Sequence, residues 1–322
     1  MKYIVFGGGG FLGRHLINFF KENEFNYLSC DLSVKKDTQE QIKIDIRSLE
    51  DLHKIQIEKN DVVINLAANQ YHLPVPRHDV RNFFFETNSN GSKNVLEFAF
   101  QSGCKNAILF TTDMIYGKPQ YLPVDERHPK NPFGFYGSSK KIAEDHALYY
   151  REKGMNITIF RPRLILGPGR LGILKKLFRL IDHDLPVPLI GNGENHYQMI
   201  SVFDCVSAIE LAIRQHFPNM AFNLGSYDPP NVKMLLKGLI SKVNSRSFLL
   251  PIPGRLIKPV LRGFEFLGAP LMYKEQYMIA DEEYIVDISL AEKKLGWKPR
   301  HSDEEMLLAA YNEYKKGSRY GA

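Results

Sequence analysis

FGGGGFLG, residues 6–13, holds five glycines in eight positions and directly follows the apolar run MKYIV. Glycine inside a helix or strand costs roughly 0.5–1 kcal/mol relative to alanine, so something at this turn must offset that cost. The stretch FLGRHLINFFKEN (11–23) has Leu12, Leu16, Phe19 and Phe20 at helical spacing. The glycines therefore stand where a first strand turns into a first helix. Gly7, Gly10 and Gly13 are spaced GxxGxxG. The first permits a tight turn, the second lets a pyrophosphate approach the backbone, and the third lets helix and strand pack closely. The helix start then offers unpaired N–H groups and roughly half a positive charge to phosphates. Asp31 lies eighteen residues past Gly13, at the end of the next apolar run, NYLSCD (26–31). It is placed to accept hydrogen bonds from the adenosine ribose, and its charge repels a 2′-phosphate. The expected cofactor is NAD, with NADP less favoured.

Working outward, short apolar runs alternate with helical stretches. Strands are expected at 2–6, 26–31, 41–46, 61–68, 106–112 and 155–162, with long helices at 80–102 and 136–153. This alternation predicts an α/β fold, a doubly wound parallel sheet of the Rossmann type, with a smaller and mostly C-terminal substrate-binding lobe. Beyond Pro162, proline and glycine cluster. The strand-like VFD (202–204) and AFNLGS (221–226) are expected to return to the sheet. The expected division is 1–161 plus about 197–226 for the NAD-binding domain. The lobe then takes 162–196 plus 227–322.

The chain of 322 residues is 44% hydrophobic and 24% charged, an ordinary globular composition with enough apolar content for a large core. No apolar run reaches the length of a membrane span, and the first residues are too few for a secretory signal. Three scattered cysteines, Cys30, Cys104 and Cys205, suggest neither disulfides nor a zinc site, and a reducing cytoplasm is expected. The ten histidines show no HxxxH or HExxH spacing, so no metal is expected. The net charge of +6 is spread in lysine pairs mixed with acids, which points to a solvated surface and away from nucleic acid.

TTDMIYG (111–117) ends the fifth expected strand and YGSSK (136–140) opens the helix after it. Tyr136 and Lys140 are four residues apart and share a helix face. A phenol has a pKa near ~10 and is a poor base at neutral pH. A neighbouring ammonium would favour the phenolate. Thr112 is placed to hydrogen-bond the reacting oxygen. Together Thr112, Tyr136 and Lys140 form a candidate catalytic trio, with Asp113 as a further acid, a substrate-hydroxyl acceptor, or a capping residue.

At this point the chain resembles an extended short-chain dehydrogenase/reductase of the NAD-dependent epimerase/dehydratase family. Besides GGGGFLG, with Phe11 and Leu12, and YGSSK, the likeness includes Asp45–Ile46, which in the family contact adenine. It includes Leu66, Ala67 and Ala68 of NLAA, which line the cofactor, then Asn88, Pro162 of RP, GPG at 167–169 and YIVDISLAEKKLGWKP (284–299). The resemblance implies that Tyr136 takes a proton from a substrate hydroxyl while hydride passes to NAD. It implies that Lys140 holds the nicotinamide ribose and lowers the tyrosine pKa. It also implies a homodimer built on the helices at 80–102 and 136–153. The implied substrate is a sugar carried on a nucleotide, for a surface polysaccharide.

Several positions depart from the family pattern. The 4,6-dehydratases of the family place an Asp-Glu pair after the threonine, and here Met114 takes the second place, which excludes that elimination. Leu164 replaces an asparagine of nucleotide-sugar enzymes, and Tyr197, beside His196, aligns with a diphosphate-binding arginine. Arg163 and Arg170 either supply the missing charge or are ordinary surface arginines. Asn69, Met114, Arg163, Arg170, His196 and Tyr197 are the expected substrate contacts. The apolar stretch 248–273, interspersed with Arg255, Lys258 and Arg262, is expected to be a core helix pair of the lobe. A membrane surface or an apolar pocket wall are its alternatives. Two other functions stay open: a dehydrogenase or reductase of a bulky apolar alcohol, and an NAD-binding sensor without turnover.

Overall fold

A computed structural model describes residues 1–172 and 174–319; Ile173 and the last three residues of the expected lobe lie outside it. The first half runs β1 (Tyr3–Phe6), α1 (Phe11–Glu22), β2 (Tyr27–Cys30), β3 (Gln41–Ile42), α2 (Leu49–Leu52), β4 (Val62–Asn65) and α3 (Val80–Phe85). A π-helical segment, Glu86–Gly91, joins α3 to α4 (Ser92–Gln101), followed by β5 (Asn106–Phe110), α5 (Phe135–Glu152) and β6 (Asn156–Pro162). The second half contains β7 (Leu164–Leu166), α6 (Leu174–Asp182), β8 (Val187–Ile190), β9 (Met199–Ser201), α7 (Val202–Arg214) and β10 (Ala221–Leu224). It ends with α8 (Val232–Lys242), β11 (Leu249–Ile252), α9 (Gly254–Phe266), α10 (Lys274–Tyr277), α11 (Ser289–Leu295) and α12 (Asp303–Arg319).

Seven strands form one parallel sheet in the order β10-β6-β5-β4-β1-β2-β3. Its central strands are buried on both faces, as the unbroken apolar runs YIVF and VVI require. One face packs on α1, α7 and the segment ending in Trp297; the other packs on α4 and α5. The strand order reverses between β1 and β4, and a crevice opens there beyond the strand carboxyl ends. Two small parallel ladders, β7–β9 and β8–β11, lie outside the sheet. A third core, from α6, α8 and α12, supports them.

Four expectations about the elements need correction. Residues 202–204 are not a strand but the first turn of α7, because Ser201 caps that turn by accepting the Phe203 amide. The expected third strand shrinks to Gln41–Ile42, because Asp37 and Asp51 take the Lys43 and Asp45 amides that a ladder would use. The helix over 80–102 is interrupted by its π-helical segment. Finally, 254–266 is no core helix: Leu261 is the one buried residue of α9.

Candidate active site

A cleft of about 1150 Å³ runs from the glycine turn, past β1, β4 and β5, to the loops between β7 and α6 and before α10. Gly7 has φ +84°, and a Cβ there would meet the Ala67 amide at 2.6 Å. A Cβ on Gly13 would fall on the Gly7 carbonyl oxygen, so α1 can lie against the turn only with glycine at that position. Gly10 caps α1 without a side-chain bond and leaves the first amides of the helix unpartnered by any cap. Asp31 accepts the Gly9 amide at 3.1 Å and the Ser33 amide at 2.8 Å, which fixes its carboxylate at the cleft. Asp45 also borders the cleft, its carboxylate gripped by Arg47, and that bond holds its pKa below the usual range. Phe11, Leu12, Ile46, Leu66, Ala67, Ala68 and Pro162 line the same space.

At the other end, Tyr136 and Lys140 rise from one face of α5, with Thr112 and Asp113 opposite them at the end of β5. Burial pushes the Tyr136 phenol well above its ordinary pKa, while the Arg170 charge and the Thr112 hydroxyl pull it back. Lys140 donates to the Phe110 carbonyl at 3.0 Å, and burial lowers its pKa to about 8. That bond uses one of the three ammonium donors of Lys140. Arg170 supplies the cation through an intermediary. Gln70 Nε2 donates to Tyr136 Oη at 3.0 Å, and Gln70 Oε1 accepts from Arg170.

Arg163 needs a clear correction. It is buried, ion-paired with Asp113, donates to the Gln198 carbonyl at 3.1 Å, and packs over the rings of Tyr284 and Tyr197. It is therefore no surface arginine; it borders the cleft, and its buried Nη2 has no hydrogen-bond partner among the described residues. Asp113 has each oxygen engaged once, by Arg163 and by the Thr112 hydroxyl, and it borders the cleft. His196 does not border the cleft: Glu283 binds its ring at 2.8 Å, outside. Asn88 lies beneath the cleft, where it bonds the Asn69 backbone and the Ser139 hydroxyl, and so it positions neighbours and does not face the cofactor space. Asn69, Met114, Arg170 and Tyr197 do border the cleft. Among the described residues, no group of three His, Cys, Asp or Glu side chains is placed to hold a metal.

Sequence reasoning missed Glu275. From α10 its buried carboxylate reaches the first turn of α5. It accepts the Tyr136 amide at 2.9 Å, the Gly137 amide at 3.1 Å and the Tyr71 hydroxyl at 2.6 Å. A carboxylate there satisfies orphan amides and complements the helix dipole. Tyr71 in turn stacks on Tyr273 with centroids 4.4 Å apart and leans on Phe84, so an aromatic wall stands beside Tyr136. Gln70 and Tyr71 follow NLAA after Asn69; Glu275 carries no local signal.

The donor set fits a dinucleotide. The glycine cradle is space that a Cβ would fill, and Asp31 fixes a carboxylate at the same end. The Tyr136–Lys140 pair lies at the other end of the same cleft.

The NAD dependent epimerase/dehydratase family matches residues 3–225. The chain belongs to that family and is an enzyme whose cofactor is NAD. An uncharacterized protein, y4nG, of Sinorhizobium fredii is 28% identical over 243 residues, 75% of this chain and 61% of that one. The chain thus spans less than two thirds of that relative's length. A putative UDP-glucose 4-epimerase of Methanocaldococcus jannaschii is 26% identical over 98% of this chain and 99% of its own. An Escherichia coli O157:H7 enzyme, N-acetyl-alpha-D-glucosaminyl-diphospho-ditrans,octacis-undecaprenol 4-epimerase, is 28% identical over 78% of this chain and 75% of its own. Among solved structures, a Thermotoga maritima UDP-glucose 4-epimerase with UDP-glucose superposes with a TM-score of 0.78 at 24% identity, over 99% of this chain and 100% of that one. That likeness shows the shared fold.

Proposed function

We propose that this enzyme inverts a hydroxyl-bearing carbon of a sugar carried on a diphosphate, by way of a keto intermediate. The observation that carries the reading is the placement of a buried Tyr136, with Thr112 and Lys140, in the same cleft as the dinucleotide cradle. Gly7, Gly10, Gly13 and Asp31 would hold NAD, which would supply the hydride acceptor and donor for the sugar carbon. Tyr136 removes the hydroxyl proton, and Thr112 orients that oxygen. Lys140, with two donors left beyond its bond to the Phe110 carbonyl, would hold the cofactor's ribose hydroxyls. Arg170 and Gln70 favour the phenolate, which burial alone disfavours. Met114 offers no proton for a dehydratase step.

The printed activities of the relatives support a sugar substrate. A nucleotide is the first reading for its carrier. A polyprenyl carrier is the second, favoured by a specific observation: Leu164 and Tyr197 stand where nucleotide-sugar enzymes place polar groups, and Arg163 is ion-paired with Asp113.

The test is conversion of UDP-, dTDP- and polyprenyl-diphosphate sugars by the NAD-loaded enzyme, read by chromatography of the released sugars. Tyr136→Phe should lower turnover by about 10²–10⁴-fold while NAD affinity stays within a few-fold. Turnover that survives the exchange removes Tyr136 as the base.

A further inference from the structure

α9 is amphipathic in the reverse sense for a surface helix. Leu256, Val260 and Phe264 recur every fourth residue and Leu267 follows; at 100° per residue these four fall within about 80° of arc. They are 60%, 50%, 40% and 72% exposed. The charged side chains Lys258 and Glu265 point the other way, into the protein, where Lys258 pairs with Asp281 at 2.5 Å and Glu265 meets the Tyr277 hydroxyl at 3.3 Å. An ordinary surface helix turns its apolar stripe inward. Phe266, 90% exposed, widens this solvent-facing apolar surface, and Arg255 and Arg262 lie on its flank, about 20° and 40° beyond Phe266. Both are exposed, and neither forms an ion pair among the described residues. The whole chain carries +6.

We propose that this face of α9 docks on an anionic lipid bilayer, lying in the interface with its apolar stripe among the acyl chains and its arginines on the headgroups. No helix among the described residues is long and apolar enough to cross a membrane, so the contact is made at the surface. The position of the helix gives the contact a purpose. The chain leaves α9 and runs directly into Pro270, Leu271 and Tyr273, which border the cleft, and Lys176 holds the Leu271 carbonyl at 3.0 Å. A docked α9 sets the cleft mouth at the bilayer. Given the sugar-diphosphate reading above, on which this step rests, the carrier is then a lipid whose diphosphate stands at that surface.

The experiment is sedimentation of the NAD-loaded enzyme with vesicles of phosphatidylcholine containing phosphatidylglycerol, and with vesicles of phosphatidylcholine alone. The wild type should pellet with the anionic vesicles and lose binding as salt rises. Leu256→Ser with Leu267→Ser should weaken binding at least about tenfold, since two buried leucine side chains are lost, with the NAD-induced rise in Tm unchanged. Arg255→Glu with Arg262→Glu should abolish the preference for anionic vesicles. Absence of wild-type binding, or binding indifferent to the leucine exchanges, overturns the proposal. So does a fall in oligomer mass on those exchanges without lipid, which would show a second copy covering the face. Tyr136→Phe should bind vesicles like the wild type, so failure of the catalytic reading and failure of docking are separate results.

Discussion

Lys140 is buried, with a pKa near 8 where a free lysine stands near 10.5. Between these values the unfolded chain binds more protons than the folded one, so stability rises with pH across that window. Below about pH 8 both states carry the charge and the full burial penalty remains. Without NAD, the Tm of the wild type relative to Lys140→Met should therefore increase from pH 7.5 to pH 10; a flat difference would mean that the ammonium is not buried. Glu275 makes a second case at this scale. Glu275→Ala strips two amides and a phenol of their acceptor and should destabilise by about 2–4 kcal/mol. It should also lower kcat with little change in NAD affinity, and Glu275→Gln should recover part of both, as read by chemical denaturation and steady-state kinetics. The residues legible in the sequence were those with local partners: Gly7 and Gly13 at one turn, Asp31 at the next strand end, and Tyr136 with Lys140 one helical turn apart. Glu275 acts on an amide 139 residues away, and Arg163 meets Asp113 across 50 residues. No spacing rule encodes either.

Among the elements, α1 shows how one missing atom sets a packing distance. Gly13→Ala drives its Cβ onto backbone atoms of Gly7 and Gly8, which cannot rotate away. The helix must lift from the turn, with an expected loss of about 2 kcal/mol or more. NAD affinity should fall with it, and calorimetry with and without NAD reads both effects. Elements longer than a few residues with one clear period, such as α1 and α5, were readable from sequence. VFD at 202–204 was not, because three residues fit either period. The burial of Val202, Cys205, Val206 and Ile209 is helical only over the longer window. Residues 43–46 failed for another reason: Ile44 and Ile46 are buried as in a strand, but side-chain carboxylates take the amides of Lys43 and Asp45.

Across the whole molecule, one buried polar network fastens the sheet to its surroundings. Arg161 on β6 grips Glu144 of α5 with two bonds, 2.9 and 2.8 Å, and reaches Tyr116, whose hydroxyl meets Asn223 of β10 at 2.7 Å. Lys130 and Thr111 complete the shell around Glu144. Burial would raise the Glu144 pKa, but Arg161 and Lys130 outweigh it and hold it low. Arg161→Leu leaves that carboxylate buried with half its partners and should destabilise by about 3–5 kcal/mol, measured by urea unfolding. A loss under 1 kcal/mol would show that water replaces the guanidinium.

The edge strand β10 has its own consequence for a chain made from one end. Its residues, 221–224, follow about sixty that build α6, α7, the β7–β9 ladder and β8. A ribosome therefore delivers β1 to β6 well before the neighbour that pairs with Ile159–Pro162. During that interval the nascent protein carries an apolar strand edge with open hydrogen-bonding groups. Any product released early, before Ala221, keeps that edge for good and is a substrate for chaperones and proteases.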